Sequence, residues 1–255
     1  MVGRHAIDQV VKAADLTPAD SVLEIGPGLG TLTGRLLECA GQVVAVELDP
    51  KLVSALQELL GEHPHLRIVA GDILQTDPAA LFSVPYKVVA NIPYYITSAV
   101  LRHLLESSVR PTAIILTMQK EVAQRIVDQE RLSLLAVSVQ FYGAPRIVAR
   151  IPRGAFHPIP KVDSAVLRVD VYPEPAVAVV DREGFFRVVK AGFSAPRKQL
   201  RNALMNGLRL SADDVVMALA NAGIDPRRRA ETVTIPEWRD IQESLVAFMP
   251  PASSR

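Results

Sequence analysis

The chain has 255 residues, 49% of them apolar and 22% charged, with a net charge of +1. That is enough for one large domain and a small one, and too apolar for a disordered chain. No apolar run is long enough to span a bilayer, no basic and apolar leader opens the chain, and Cys39 is the sole cysteine. Membrane insertion, disulfides and cysteine-rich metal sites are therefore not expected, and a cytoplasmic setting is. None of the five histidines has ligand spacing, so no metal is expected either.

The first elements read from the sequence alternate between strand and helix. Strands are expected at Ser21–Ile25, Gln42–Glu47, Leu66–Ala70, Tyr86–Ala90 and Thr112–Thr117, all short and rich in Val and Ile. Helices are expected between and after them at Leu29–Glu38, Pro50–Leu60, Thr97–Glu106 and Gln119–Val127. Such alternation builds a parallel sheet with crossover helices. Two more strand-like runs, Pro145–Ile151 and Asp163–Tyr172, flank PRGAFHPIPKV. That connection is too short and too rich in proline for a crossover helix, so the two should pair antiparallel around a stiff loop. A mostly parallel sheet with a reversed last strand is the Rossmann-like class I methyltransferase arrangement within the α/β class. Pro173–Val180 reads as a linker. Beyond it only helical patterns follow, at Arg182–Gly192, Arg197–Gly207, Ser211–Asn221 and Pro236–Phe248. The expected division is a domain over residues 1–176 and a small all-α domain over 177–255.

The stretch VLEIGPGLGTLT places Glu24, Gly26, Gly28 and Gly30 at alternate positions between a strand and a helix. Glycines there permit a sharp turn and close approach of a ligand to the backbone. No Lys-Ser/Thr follows, which excludes a phosphate-cradling P-loop. With the ExGxGxG spacing, the helix start suits the methionine carboxylate of S-adenosylmethionine better than a pyrophosphate. Glu47 ends the second strand, where a carboxylate can accept both ribose hydroxyls. Asp72, in AGDIL, ends the third and is placed to accept from an adenine amino group.

The fourth strand runs into NIPYY and delivers Asn91 to the same edge. An exocyclic adenine amine is a weak nucleophile because its lone pair is delocalised into the ring. Two acceptors, the Asn91 side-chain oxygen and the Ile92 carbonyl, would favour a pyramidal nitrogen aimed at a methyl donor. Pro93 fixes the turn, and Tyr94 offers a ring on which an extruded base can stack. No strong base is required, because the proton can leave after transfer.

Charge is unevenly distributed. Residues 131–162 contain basic side chains and no acid, and Arg182–Ala212 contains seven cations against Glu183 alone. Two acid-poor runs beside a nucleotide-type site point to a polyanion. The expected RNA contacts are Arg146, Arg150, Arg153 and Lys161 from the first run and Arg197, Lys198 and Arg201 from the second.

Together, VLEIGPGLGTLT, VELDP, GDIL, NIPYYITSAVL, FHPIPKVDSAVLRV and FSAPRKQLRNAL resemble the KsgA family of rRNA adenine dimethyltransferases over nearly the whole chain. The last two segments are specific to that group and its close relatives. The resemblance implies S-adenosylmethionine as cofactor, contacted by Glu24, Gly26, Gly28, Gly30, Glu47, Leu48, Asp72, Ile73 and Asn91. It implies that Phe156 closes on the target adenine opposite Tyr94. It also implies a monomer acting on small-subunit rRNA or a precursor of the small subunit. The family's basic opening segment, ending in Gly-Gln-Asn-Phe-Leu or similar, has no counterpart before MVGRHAIDQVV. Three rivals stay open. One is an Erm-type large-subunit rRNA methyltransferase, another an rRNA-binding assembly or transcription factor without turnover. The third, a small-molecule methyltransferase, would not need the basic helical region.

Overall fold

The computed structural model describes residues 3–157 and 159–249, with the backbone alone described at Tyr94. Contacts divide the chain into two compact units, Met1–Gln124 with Gly143–Pro173, and Arg125–Tyr142 with Glu174–Arg255. A single cut at 176/177 therefore does not describe it. The chain leaves the first unit after Gln124, returns at Gly143 for two strands, and leaves again after Pro173.

The first unit is built on seven strands: β1 (Ser21–Ile25), β2 (Gln42–Glu47), β3 (Leu66–Ala70), β4 (Tyr86–Ala90), β5 (Ala113–Gln119), β6 (Gly143–Ile151) and β7 (Ser164–Val171). They form one sheet in the order β3-β2-β1-β4-β5-β7-β6. The first five are parallel, and β7 runs antiparallel to both β5 and β6. The reversed strand is thus inserted between β5 and β6, with β6 on the outside. Central strands here are covered on both faces, so they read as nearly continuous apolar runs. Val22, Leu23, Val43, Val44, Val88, Val89, Ile114 and Ile115 have no exposed surface.

Crossover helices α2 (Thr31–Leu37), α3 (Pro50–Leu60) and α4 (Thr97–Glu106) occupy the expected segments, as does α5 (Lys120–Val127), within which the chain leaves the first unit. The start of α3 shows why the expected bounds coincide with the observed ones. Asp49 caps it by accepting from Lys51 N, and Pro50 occupies the first turn, where its missing N–H costs nothing. Helix α1 (Arg4–Ala14) precedes all the expected elements. It buries Ala6, Ile7, Val10 and Ala14 in a cluster with Val22, Leu36, Val43, Val89, Ile115 and Val166. Asp15 ends it in the left-handed conformation at φ 49°, its N–H donating to Lys12 O.

The second unit contains α6 (Leu134–Tyr142), α7 (Arg182–Phe193), α8 (Leu200–Leu208), α9 (Ala212–Asn221) and α10 (Ile235–Leu245). Its core is aromatic. Phe141 packs on Phe185 with centroids 4.8 Å apart, and Trp238 is fully buried. Trp238 lies so close to Gly192 that a Cβ there would come within 2.3 Å of its ring. Pro173–Val180 is not a free linker: Ala176 N donates to Phe141 O and Val177 is buried. Helix α8 starts at Leu200, not Arg197. Pro196 sits in a turn closed by Lys198 N donating to Ala195 O, which leaves Arg197 and Lys198 on a turn.

Candidate functional site

The parallel register brings the carboxyl ends of β1, β2, β3, β4 and β5 to one edge. Ile25 is level with Val46 and Ala90, Glu47 with Ala70, and Ala90 with Leu116. The residues that follow (Gly26, Leu48, Gly71, Asn91 and Thr117) therefore collect where open α/β sheets take ligands.

The turn after β1 needs its glycines. Gly26, Gly28 and Gly30 have φ of 66°, 59° and 79°, a region that L side chains avoid. Nothing lies within 4 Å of where a Cβ on Gly28 would be, so its backbone is open to a ligand. Glu47 ties this turn to the next strand. It is 7% exposed and accepts from Gly28 N through Oε2 and from Asp49 N through Oε1, both at 3.0 Å. Asp72 accepts from Leu74 N through Oδ1 at 2.9 Å, which orders the turn after β3. Leu48 is 67% exposed beside Glu47, while Ile73 is buried beside Asp72.

A cavity of about 230 Å³ opens at this edge. Glu24, Gly26, Pro27, Gly28, Leu29, Thr31, Asn91 and Thr117 line it, with Ile7 and Val10 of α1 closing one side. The structure thus brings Asn91 into one wall with the glycine turn. Glu47, Leu48, Asp72 and Ile73 lie along the same edge but do not line this cavity.

Two groups in the cavity wall are unusual. Both Glu24 carboxylate oxygens and the Thr117 hydroxyl are buried without a hydrogen-bond partner. Burial pushes the Glu24 carboxyl up to about 8; the nearby Thr33 hydroxyl opposes this and the charge on Glu47 adds to it. A cation arriving in the cavity would favour the ionised form.

Ile92 is buried behind Gly26, and Pro93 O accepts from Ile96 N to start a short 3₁₀ turn at Tyr94–Ile96. The Tyr94 ring lies outside the described residues. Phe156, on the β6–β7 loop, is half-buried and packs against the cluster that contains Ala6, Ile7 and Val10.

The expected RNA contacts are placed differently from one another. Arg150, Arg153 and Lys161 are exposed in the first unit. Arg146 is ion-paired with Asp170 across the β6–β7 ladder at 3.0 Å, and Arg168 shares that acid. The run is acid-poor along the chain but not in space. Arg197, Lys198 and Arg201 are exposed in the second unit. Ile7, Val10 and Thr117, from outside the glycine turn and its helix, line the cavity without having been expected there. The first two carried a signal, since Ala6, Ile7, Val10 and Ala14 recur at helical spacing. Thr117 carried only its place as a polar residue near the end of an apolar strand.

Comparison with known proteins decides the family. Residues 1–246 match the family described as ribosomal RNA adenine dimethylase. The chain belongs to that family. It is 47% identical over 242 residues to the ribosomal RNA small subunit methyltransferase A of Dehalococcoides mccartyi, covering 94% of this chain and 83% of that one. The crystal structure of the 23S rRNA methyltransferase ErmE is 31% identical, with a TM-score of 0.72 and coverage of 95% of this chain and 97% of that chain. A dimethyladenosine transferase from Plasmodium falciparum is 23% identical, with a TM-score of 0.81 over 96% of this chain and 97% of that one, and supports the fold.

As a ribosomal RNA adenine dimethylase, the chain is an enzyme that uses S-adenosylmethionine to methylate adenine in rRNA. The residues present fit that cofactor. The open space beside Gly28 admits its methionine end against the turn, and the partnerless Glu24 carboxylate in the same cavity suits its positive charge. Among the described residues, no cluster of side chains could hold a metal, and no helix is long and apolar enough to cross a membrane.

Proposed function

We propose that this enzyme dimethylates the exocyclic amines of two adjacent adenosines near the 3′ end of 16S rRNA, acting as a cytoplasmic monomer during small-subunit biogenesis. The observation that carries the reading is Asn91 in one cavity wall with the Gly26–Gly28 turn, so that methyl donor and acceptor amine meet at one place. The target is supported by higher identity to the D. mccartyi small-subunit enzyme than to ErmE. FHPIPKVDSAVLRV and FSAPRKQLRNAL support it as well.

S-adenosylmethionine supplies an electrophilic methyl group. Glu47 is the acceptor for its ribose hydroxyls, Asp72 for its adenine amine, and Leu48 and Ile73 are the apolar surfaces for its base. Asn91 Oδ1 and the Ile92 carbonyl accept the two hydrogens of the target amine, which localises the nitrogen lone pair. Pro93 holds that carbonyl in place. Tyr94 and Phe156 offer apolar faces to the extruded base. The reaction needs no ionising base at Asn91, since positioning and oriented dipoles carry it.

Primer extension on rRNA, before and after incubation with enzyme and methyl donor, tests the target. Two adjacent new stops near the 3′ end of 16S rRNA are expected. A stop in 23S rRNA alone would make the enzyme Erm-type, and RNA binding without any stop in 16S rRNA would overturn the proposed target.

A further inference from the structure

Tyr95 is 86% exposed. Among the described Phe, Trp and Tyr side chains the next most exposed is Tyr172, at 37%. A single exposed ring is ordinary by itself, but this one stands two residues past the Asn91–Pro93 turn, and other exposed groups rise from the same sheet edge. Ser164 is level with both Gln119 at the end of β5 and Ile151 at the end of β6. The 152–163 loop therefore rises from the same sheet edge as Asn91 and Tyr95. That loop carries Ile159, 65% exposed, with Arg153 and Lys161 exposed on either side of it. Its one acid, Asp163, is held by Arg153 N, which donates to Oδ1 at 3.0 Å.

An exposed ring and an exposed aliphatic side chain, on two loops of one edge and accompanied by two cations, match the chemistry of single-stranded nucleic acid. Such sites combine stacking surfaces with charges that track the phosphates. We propose that Tyr95 is the stacking platform for the nucleotide next to the target adenosine, with Arg153 and Lys161 taking the phosphates of the same segment. This rests on the reading of the enzyme as an RNA methyltransferase and adds to it a second base subsite, outside the cavity. Because every base has a stacking face, the subsite tolerates any flanking base. It also gives the second of two adjacent adenosines a place to wait while the first occupies the acceptor turn.

A single-stranded RNA oligonucleotide with two adjacent adenosines and 2-aminopurine on one flank tests this, with the full-length enzyme. The wild type, Tyr95→Phe and Tyr95→Trp should quench the fluorophore on binding. Tyr95→Ala should lose the quench and bind the RNA about tenfold to a hundredfold more weakly. Calorimetry with S-adenosylmethionine should give the same donor affinity for all four proteins. Unchanged quench and RNA affinity in Tyr95→Ala overturn the subsite, as does a parallel loss of donor affinity, which would make Tyr95 part of the cofactor site. Methyl transfer is read separately: an enzyme that stacks the probe but methylates no rRNA retains the subsite and loses the proposed function.

Discussion

Asn91 and Glu24 line the same cavity and ask for different experiments. If Asn91 acts by accepting hydrogen bonds, Asn91→Ala should abolish single-turnover methyl transfer while RNA affinity, carried mainly by phosphate contacts, stays near wild type. Asn91→Asp should keep partial activity, because a carboxylate also accepts. A near-normal rate in Asn91→Ala, measured with labelled donor and saturating RNA, would sink the mechanism. Glu24 bears on stability. Its carboxyl moves from the ordinary 4.5 to about 8 on burial, so the folded chain holds a proton there that the unfolded chain releases. Stability of the free enzyme should therefore fall as pH rises from about 4.5 to 8. Glu24→Gln should flatten that slope, gaining at most about 3–5 kcal/mol at the alkaline end. Urea titrations at several pH values would show it, and equal slopes in both proteins would count against a buried, protonated Glu24. The same residues show what was legible. Glu24, Gly26, Glu47, Asp72 and Asn91 could be placed from sequence because each lies at or within two residues of a strand's carboxyl end, and a parallel sheet gathers strand ends. Thr117 lies near the end of β5 too, but only the structure shows its hydroxyl buried and unpartnered.

Among the elements, the strands and crossover helices of the first unit were readable because apolar runs, caps and prolines agreed. Helices α1 and α6 were not. Within α6, LLAVSVQFY is apolar almost throughout and buries Ala136, Val137, Val139, Phe141 and Tyr142, so it lacks the polar stripe that marks a helix in sequence. Its environment, not its periodicity, makes it helical. Helix α1 does have the stripe, and its apolar side reaches the cavity beside the glycine turn, the proposed donor site, through Ile7 and Val10. It should therefore act on stability and donor binding together. Ile7→Ala should cost about 2–4 kcal/mol in stability and weaken S-adenosylmethionine binding. Lys12→Ala, on the exposed side of the same helix, should change neither. Chemical denaturation and calorimetry on the two variants would read this. Weakened donor binding in Lys12→Ala would show that charge on α1, and not closure of the cavity, is what matters.

For the molecule as a whole, composition gave a net charge near zero and no hint of a partner; the distribution of charge gave one. Folding revises that distribution. Arg146, in an acid-free run of sequence, meets Asp170 on the neighbouring strand, because β7 carries its acid back beside β6. Arg197 and Lys198 have no such strand beside them and lie exposed on the turn before α8. Released counterions make phosphate binding depend steeply on salt, with each contact to single-stranded RNA adding about 0.7 to the slope of log affinity against log salt. Reversing Arg197 and Lys198 together to Glu should therefore weaken rRNA binding and reduce that slope by about one or more. Reversing Arg146 should do less to the slope, since its charge is already shared with Asp170. Neither change should alter donor affinity, because the residues that line the proposed donor cavity belong to neither group. Filter binding of rRNA across a salt series, with calorimetry on the donor, separates these effects. An unchanged slope in the Arg197/Lys198 reversal would make those charges a solvated turn. A larger loss from Arg146 than from the turn would place the phosphate contacts on the β6–β7 ladder instead.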